Sequence, residues 1–183
     1  MHILVVVNTA ASAVTPRRRD AVLRLLALGH DLDVVGTERR GHATELARSG
    51  LAAGVDAVAV LGGDGTVNEV ASALVATDTV LAPLPGGSTN VFVRSIGLPR
   101  DPALAAERTA RALSRRRVDR IRVGTVDADG AGPRPFLCHT GIGWDAALVA
   151  EVERLRGRHR RLRFTAHGGP RPATVPLYVQ AGV

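Results

Sequence analysis

Residues Asp56 to Glu69 read DAVAVLGGDGTVNE, and this segment carries the strongest indication of the fold. An apolar run, Asp56 to Leu61, leads into a glycine-rich turn, after which apolar residues recur at helical spacing. We therefore predict a buried strand, a tight turn and a helix. Such a turn offers a phosphate free backbone N–H groups and the positive end of a helix dipole, and its glycines permit close approach and positive φ. We predict a nucleotide-phosphate site at Gly62–Glu69, in which Asp64 holds Mg²⁺ or orients a reacting group.

The same alternation of strand and helix patterns continues on both sides of this stretch. The predicted strands are Ile3–Val7, Leu32–Val35, Asp56–Leu61 and Val80–Leu84. The predicted helices include one that begins at the N-cap Thr15, one over His42–Ser49, and one from the N-cap Asp101 to about Leu113. This order predicts an α/β fold with a doubly wound, mostly parallel sheet, whose ligands bind beyond the carboxyl ends of the strands.

A second glycine-rich turn, PGGSTN at Pro85–Asn90, follows the strand that ends at Leu84. Its paired glycines permit close approach, and Ser88, Thr89 and Asn90 supply hydroxyl and amide groups at a helix start. Two such turns at the ends of neighbouring strands indicate a phosphate cleft more strongly than either turn alone.

The pattern changes after Arg115–Arg117, where alternating residues around Ile121 and a DADG turn precede an apolar run at Phe136–Thr140. This antiparallel pattern predicts two domains: a nucleotide-binding α/β domain over residues 1–117 and an incomplete, β-rich second domain over residues 118–183. We expect Asp145 to cap a further helix, which gives way to an Arg-, Gly- and Pro-rich segment from Gly157 onward. Because the chain ends inside the apolar run VPLYVQAGV, we expect a truncated product or a fragment.

Composition limits the possible chemistry. The chain has 183 residues, 45% hydrophobic and 22% charged, which is typical of a globular domain, and it shows neither a membrane-length apolar stretch nor a signal sequence. We therefore predict a cytoplasmic location. All 24 basic residues are arginine, so bound phosphates must be held by backbone N–H groups, arginine and metal rather than by lysine. The single cysteine, Cys138, excludes an intrachain disulfide, and the 3% aromatic content argues against a nucleic-acid partner.

A few isolated residues have ordinary structural explanations. We predict that Trp144, Phe136 and Tyr178 lie in a core or an interface, and that Cys138 and His139 are packing residues. The basic run from Arg154 to Arg163 is either a solvated helix end, which we favour, or a contact for anionic lipid headgroups.

Four segments together resemble the diacylglycerol kinase catalytic domain, a family shared by bacterial lipid kinases and sphingosine kinases. They are TERRGHATELA (Thr37–Ala47), GGDGTVNEV (Gly62–Val70), PGGSTNVFVRSIGLP (Pro85–Pro99) and GIGWDA (Gly141–Ala146). The resemblance covers about the first 156 residues. NAD kinases share the GGDGT turn, but the PGGSTN segment is more similar to that of lipid kinases.

The resemblance implies transfer of the ATP γ-phosphoryl group to a lipid hydroxyl, such as that of diacylglycerol, with Mg²⁺. The nucleotide contacts it implies are Asn8, Thr37, Gly63, Asp64, Gly65, Thr66, Val67, Asn68, Glu69 and Ser88. Ser88 stands where the family usually has threonine, and Asn8 is followed by Thr9 rather than by the usual proline and glycine-bearing loop. In bacterial members the general base lies in the second domain, whereas sphingosine kinases assign that role to the aspartate that corresponds to Asp64. Asp64 therefore remains a candidate catalytic residue, although we favour metal binding or phosphate orientation as its role.

Two other functions stay open from the sequence: a non-catalytic or inactive nucleotide-binding module, and an NAD kinase. For a lipid kinase we expect a lipid substrate at the membrane surface, a peripheral association with that membrane and no nucleic-acid partner. The oligomeric state is open, with a homodimer among the options.

Overall fold

The structure, a computed structural model of the chain, describes residues 1–127, 130, 132–138 and 140–162. The strands are β1 (His2–Val7), β2 (Asp31–Gly36), β3 (Ala57–Gly62), β4 (Val80–Pro85), β5 (Gly124–Val126) and β6 (Arg134–Phe136). The helices are α1 (Pro16–Leu26), α2 (His42–Ala52), α3 (Asp64–Leu74), α4 (Val91–Ser95), α5 (Pro102–Ser114) and α6 (Trp144–Leu162). The predicted alternation of strands and helices is confirmed up to α5.

Strands β1 to β4 form a parallel sheet in the order β2-β1-β3-β4. In register, Val7 lies beside Gly36 on one side and Leu61 on the other, while Gly62 lies beside Pro85. The carboxyl ends of the strands are therefore level. The chain moves outward from β1 to β2 and then returns past β1 to β3, so the topological switch point lies between β1 and β3. The predicted α/β fold class is confirmed.

Each face of this sheet has its own apolar core. Ile3, Val5 and Val7 pack in one cluster with buried residues of α1 and α5, whereas Leu4 and Val6 pack in another with residues of α2 and α3. Because both faces of the central strands β1 and β3 are covered, these two strands read as continuous apolar runs rather than as alternating ones. This arrangement is what the doubly wound prediction requires.

The predicted N-caps of α1 and α5 are also confirmed. The hydroxyl oxygen of Thr15 accepts from the Arg18 N–H at 3.3 Å, and Oδ1 of Asp101 accepts from the N–H groups of Ala103 and Leu104 at 2.9 Å each. In both helices the N-cap is followed by proline at the first position. Proline suits this position, since its missing N–H has no intrahelical partner there.

The antiparallel hairpin β5–β6 is shorter than the sequence predicts. Gly124 pairs with Phe136, and neither Ile121 nor the described residues Leu137 and Cys138 belong to a strand. Ile121 is 51% exposed, so the alternation around it does not correspond to a buried face. The ladder stops after Phe136 because the next backbone N–H, that of Leu137, donates to the side chain of Asn68 instead.

The chain divides into two compact units, Met1–Cys138 and His139–Val183. The hairpin falls in the first unit, where Asn68 of α3 bonds to its second strand. The boundary between the two compact units therefore lies later in the chain than residue 117, where the antiparallel pattern begins. The division into domains 1–117 and 118–183 stays a prediction.

In the second unit, α6 differs from expectation at both ends. It begins at Trp144, so Asp145 lies in its first turn rather than at its cap, and it continues through Gly157 to Leu162. Trp144 is 70% exposed, so it does not lie in a core of the described chain, and its alternative place in an interface stays a prediction. His139, Tyr178 and the run VPLYVQAGV lie outside the described residues. Within the described part of the chain, no helix is both long and apolar enough to span a bilayer.

Candidate functional site

Backbone hydrogen bonds link the residues that directly follow the parallel strands to the carboxyl ends of neighbouring strands. Thr37 donates its N–H to the Val7 carbonyl at 2.9 Å, and Asn8 donates its N–H to the Leu61 carbonyl at 2.9 Å. Gly86 in turn donates to the carbonyl of Gly62 at 2.8 Å. The structure thus places Asn8, Thr37 and both glycine-rich turns along one edge of the sheet, at the switch point where α/β proteins bind ligands.

Two of the predicted nucleotide contacts bond to each other. The side-chain amide of Asn8 donates to Oγ1 of Thr66 at 2.9 Å, and its carbonyl oxygen accepts from the Ala10 N–H at 3.0 Å. Thr66 is buried. Asn8 therefore holds the loop after β1 against the first turn of α3, and these side chains are already engaged before any ligand binds.

The glycines of the two turns allow backbone to approach backbone. A Cβ on Gly86 would lie 2.7 Å from the Gly62 nitrogen, and one on Gly87 would lie 2.7 Å from the Gly63 Cα. None of these glycines, nor Gly65, has a positive φ, so that expectation was wrong. At Gly86 and Gly87 glycine is required because a side chain would clash with the other turn, and not because the backbone is left-handed. Gly65 is different, because no atom lies within 4 Å of the place its Cβ would occupy.

The left-handed residue in the second turn is Asn90, with φ of 48°. Its side chain accepts from the Gly87 N–H at 2.8 Å and donates to the Gly87 carbonyl at 2.8 Å. Asparagine is among the residues that tolerate this conformation. Asn90 therefore closes the turn on itself and leaves Ser88 and Thr89 exposed at its tip.

Asp64 joins the two turns. Its Oδ2 accepts from the Thr89 hydroxyl at 3.1 Å, and its Oδ1 accepts from the Phe92 N–H at 3.0 Å. The carboxylate thereby holds the start of α3 beside the start of α4. An ionised carboxylate has about four acceptor positions, so Asp64 retains capacity for a further partner.

Three residues that were predicted to contact the nucleotide instead contact other parts of the protein. Val67 is buried in the core, and its N–H donates to the Gly63 carbonyl at 3.1 Å. Asn68 bonds to the hairpin, donating to the Pro135 carbonyl and accepting from the Leu137 N–H, both at 3.1 Å. Glu69 accepts from the Ala43 N–H of α2 at 3.3 Å. These side chains join α3 to its neighbours.

Cys138 lies close to Asp64, although it was not expected near the site from the sequence. Cys138 lies at the surface with its thiol only partly covered, so the packing role predicted for it is wrong. Partial burial and then the negative charge of Asp64 raise the pKa of the thiol, while the Phe92 N–H acts in the opposite direction. No sequence signal places this cysteine here, because it depends on how the hairpin packs against α3.

Comparison with known proteins agrees with this geometry. The family model described as "Diacylglycerol kinase catalytic domain" matches residues 2–126, which is more than half of the chain. The chain belongs to this family. The match contains both glycine-rich turns and all four strands of the parallel sheet.

Named relatives support the same assignment. A "Probable lipid kinase YegS-like" protein of Chromohalobacter salexigens is 43% identical over 122 residues, covering 64% of this chain and 38% of the relative. A diacylglycerol kinase of Mycobacterium tuberculosis is 31% identical over 146 residues, covering 79% of this chain and 46% of the relative. A crystal structure of a diacylglycerol kinase from Bacillus anthracis superposes with a TM-score of 0.56 at 32% identity, covering 60% of this chain and 39% of that one. The chain thus spans less than half the length of these relatives.

The described residues fit the Mg²⁺ that the family implies. Mg²⁺ usually binds through one or two carboxylates, substrate phosphates and water rather than in an all-protein cage. Asp64 supplies one carboxylate with free acceptor capacity, and the part of the chain that the structure describes contains no cluster of three or more acidic, histidine or cysteine ligands. Asp64 is therefore the residue that would hold such an ion.

Proposed function

We propose that this chain forms the nucleotide lobe of an ATP-dependent lipid kinase, which transfers the γ-phosphoryl group to a lipid hydroxyl such as that of diacylglycerol. The observation that carries the proposal is the bridge that Asp64 makes between the two glycine-rich turns at the switch point. Membership of the diacylglycerol kinase catalytic domain family supports it.

In this proposal, the start of α3 receives the ATP phosphates. The first N–H groups of a helix have no intrahelical partner and lie at the positive end of its dipole, which favours anions. Gly65 leaves the approach to these groups open. Thr37 and Ser88 add hydroxyl groups on either side, from the ends of β2 and β4. Asn8 acts indirectly by positioning Thr66.

Asp64 serves as a metal ligand or phosphate-orienting group in this scheme, in preference to a general base. Its two oxygens already accept hydrogen bonds that hold the turns together. A bound Mg²⁺ would neutralise charge on the phosphates during transfer. Val67, Asn68 and Glu69 then contribute through the position of α3 rather than through contact of their side chains with the nucleotide.

The first test is Mg²⁺-dependent ATP binding, measured by calorimetry. We expect Asp64→Asn to weaken binding by about tenfold or more, because one charge-assisted interaction is worth roughly 1.5–3 kcal/mol. Asp119→Asn is the control, since Asp119 is exposed and remote from the turns in sequence. ATP binding that is equal in wild type and Asp64→Asn would contradict the proposal.

The second test offers labelled ATP with dispersed diacylglycerol. Labelled phosphatidic acid supports the lipid kinase. ATP binding without lipid phosphorylation supports a non-catalytic module, and phosphorylation of NAD instead supports the NAD kinase. The cytoplasmic location, the peripheral association with membranes, a homodimer and the absence of nucleic-acid partners stay predictions.

A further inference from the structure

A cavity of about 280 Å³ lies between the Pro85–Asn90 turn, the start of α1 and the segment before α5. Its polar lining consists of three arginines and three residues of the turn: Arg18, Arg94, Arg100, Ser88, Thr89 and Asn90. None of these arginines was identified as functional from the sequence.

Among the residues that the structure describes, no carboxylate pairs with an arginine of this cavity. Arg18 donates to the Ala13 carbonyl at 3.2 Å, and in the described part of the chain neither Arg94 nor Arg100 forms a side-chain hydrogen bond or an ion pair. Asp101 follows Arg100 directly, but its carboxylate caps α5. The cavity therefore gathers positive charge that no carboxylate among the described residues neutralises.

The chemistry of this lining suits a phosphate group. The guanidinium group presents a rigid fork of donors that matches phosphate oxygens in pairs, and hydroxyl groups such as those of Ser88 and Thr89 add single donors. The cavity is also small: ligand pockets usually measure about 300–1,000 Å³, so this one suits a headgroup or part of a ligand rather than a whole large molecule. The reciprocal bonds between Asn90 and Gly87 fix the turn in advance.

We propose that this cavity binds a phosphate group. Two kinds of ligand could supply this phosphate: the polyphosphate tail of a nucleotide, or the headgroup of an anionic phospholipid. The nucleotide alternative rests on the proposed function, because Ser88 lines this cavity and also belongs to the proposed ATP site. Binding of the phosphate group itself does not depend on kinase activity.

The test uses pyrophosphate as the probe, titrated into the full 183-residue chain by calorimetry without ATP. We expect the variant Arg18→Gln/Arg94→Gln/Arg100→Gln to bind pyrophosphate at least about tenfold more weakly. The matched control, Arg24→Gln/Arg48→Gln/Arg115→Gln, removes the same charge from exposed arginines outside the cavity, and we expect a change of less than about twofold. Equal losses in both triple variants, or no loss in the first, overturn the proposal.

Thermal melts establish whether each variant is folded. If the triple variant is not folded, the single variant Arg100→Gln is used in its place. For that single variant we expect a loss of about threefold or more, and an unchanged affinity counts against the proposal.

Two further measurements on the same variants identify the source of the phosphate. Weaker Mg-ATP binding in the cavity variant indicates the nucleotide tail. Unchanged ATP binding with weaker sedimentation on phosphatidylglycerol vesicles, compared with phosphatidylcholine vesicles, indicates a lipid headgroup. If only pyrophosphate binding falls, the cavity binds free phosphate or pyrophosphate. A chain that binds pyrophosphate here but never binds ATP supports this inference while the proposed function fails.

Discussion

At the scale of single residues, the glycines of the two turns serve two different purposes. Gly86 and Gly87 allow close backbone packing against Gly62 and Gly63, whereas Gly65 faces open space. The same residue type therefore allows close packing in one case and, in the function proposed above, ligand approach in the other. Alanine substitutions separate these purposes.

Gly65→Ala tests the approach of a ligand. Gly65 lies in α3 without a positive φ, so alanine fits its backbone and is expected to stabilise the fold by about 0.4–1 kcal/mol. In the proposed site, however, the added methyl group would obstruct a phosphate. We expect an unchanged or raised melting temperature together with weaker Mg-ATP binding, and unchanged binding would show that no phosphate approaches Gly65.

Gly86→Ala tests the packing between the turns. The added Cβ would lie within 2.8 Å of Gly62 backbone atoms and of the Val14 side chain, so the turns must separate. Overpacking of this kind typically costs about 1–3 kcal/mol. Urea denaturation measures the cost. Stability equal to that of wild type would mean that the two turns do not pack as closely as described.

Cys138 reports on the charge of Asp64. Burial and the Asp64 carboxylate both raise the pKa of the thiol, so removing that charge in Asp64→Asn should lower the pKa. More thiolate is then present at a given pH near 8, and alkylation by iodoacetamide becomes faster because the thiolate is the nucleophile. The measurement is the midpoint of the rate–pH profile. Asp119→Asn should leave it unchanged, and a midpoint that does not move in Asp64→Asn contradicts the contact.

At the scale of elements, Asn68 is the link between α3 and the hairpin β5–β6. Asn68→Ala leaves the Pro135 carbonyl and the Leu137 N–H without their partner, and a lost buried partner costs about 1–3 kcal/mol, less at this half-buried site. We expect faster hydrogen exchange at the Leu137 amide. Ser72→Ala is the control, because Ser72 bonds only to the Asn68 carbonyl within α3. If both variants accelerate hydrogen exchange at the Leu137 amide equally, the Asn68 side chain is not what joins α3 to the hairpin.

At the scale of the whole molecule, the sheet separates two cores that should respond independently. Val22 of α1 lies in one core and Val70 of α3 in the other, and both are fully buried. Each Val→Ala change should destabilise by about 2 kcal/mol, from roughly 0.8 kcal/mol per methylene plus a cavity contribution. The double variant should lose the sum within about 0.5 kcal/mol, since distant sites without shared partners are additive. Urea denaturation of the four proteins checks this, and strong non-additivity would indicate a single connected core.

Local sequence patterns were enough to predict the α/β class, the strands and helices up to α5, the N-caps Thr15 and Asp101, and the family. It could do so because burial on both faces makes strands continuously apolar, and because caps and turns act within a few residues. The same local signals misplaced the start of α6 and lengthened the hairpin, where alternation around Ile121 had no buried face behind it.

The contacts of the site residues, by contrast, could be found only in the folded chain. The bonds from Asp64 to Thr89 and Phe92, from Asn8 to Thr66, and from Asn68 to the hairpin all join residues far apart in the chain. Such pairs depend on the parallel register of four strands, which no local pattern encodes. The arginine-lined cavity has the same origin, because it exists only where α1, the second turn and the segment before α5 meet.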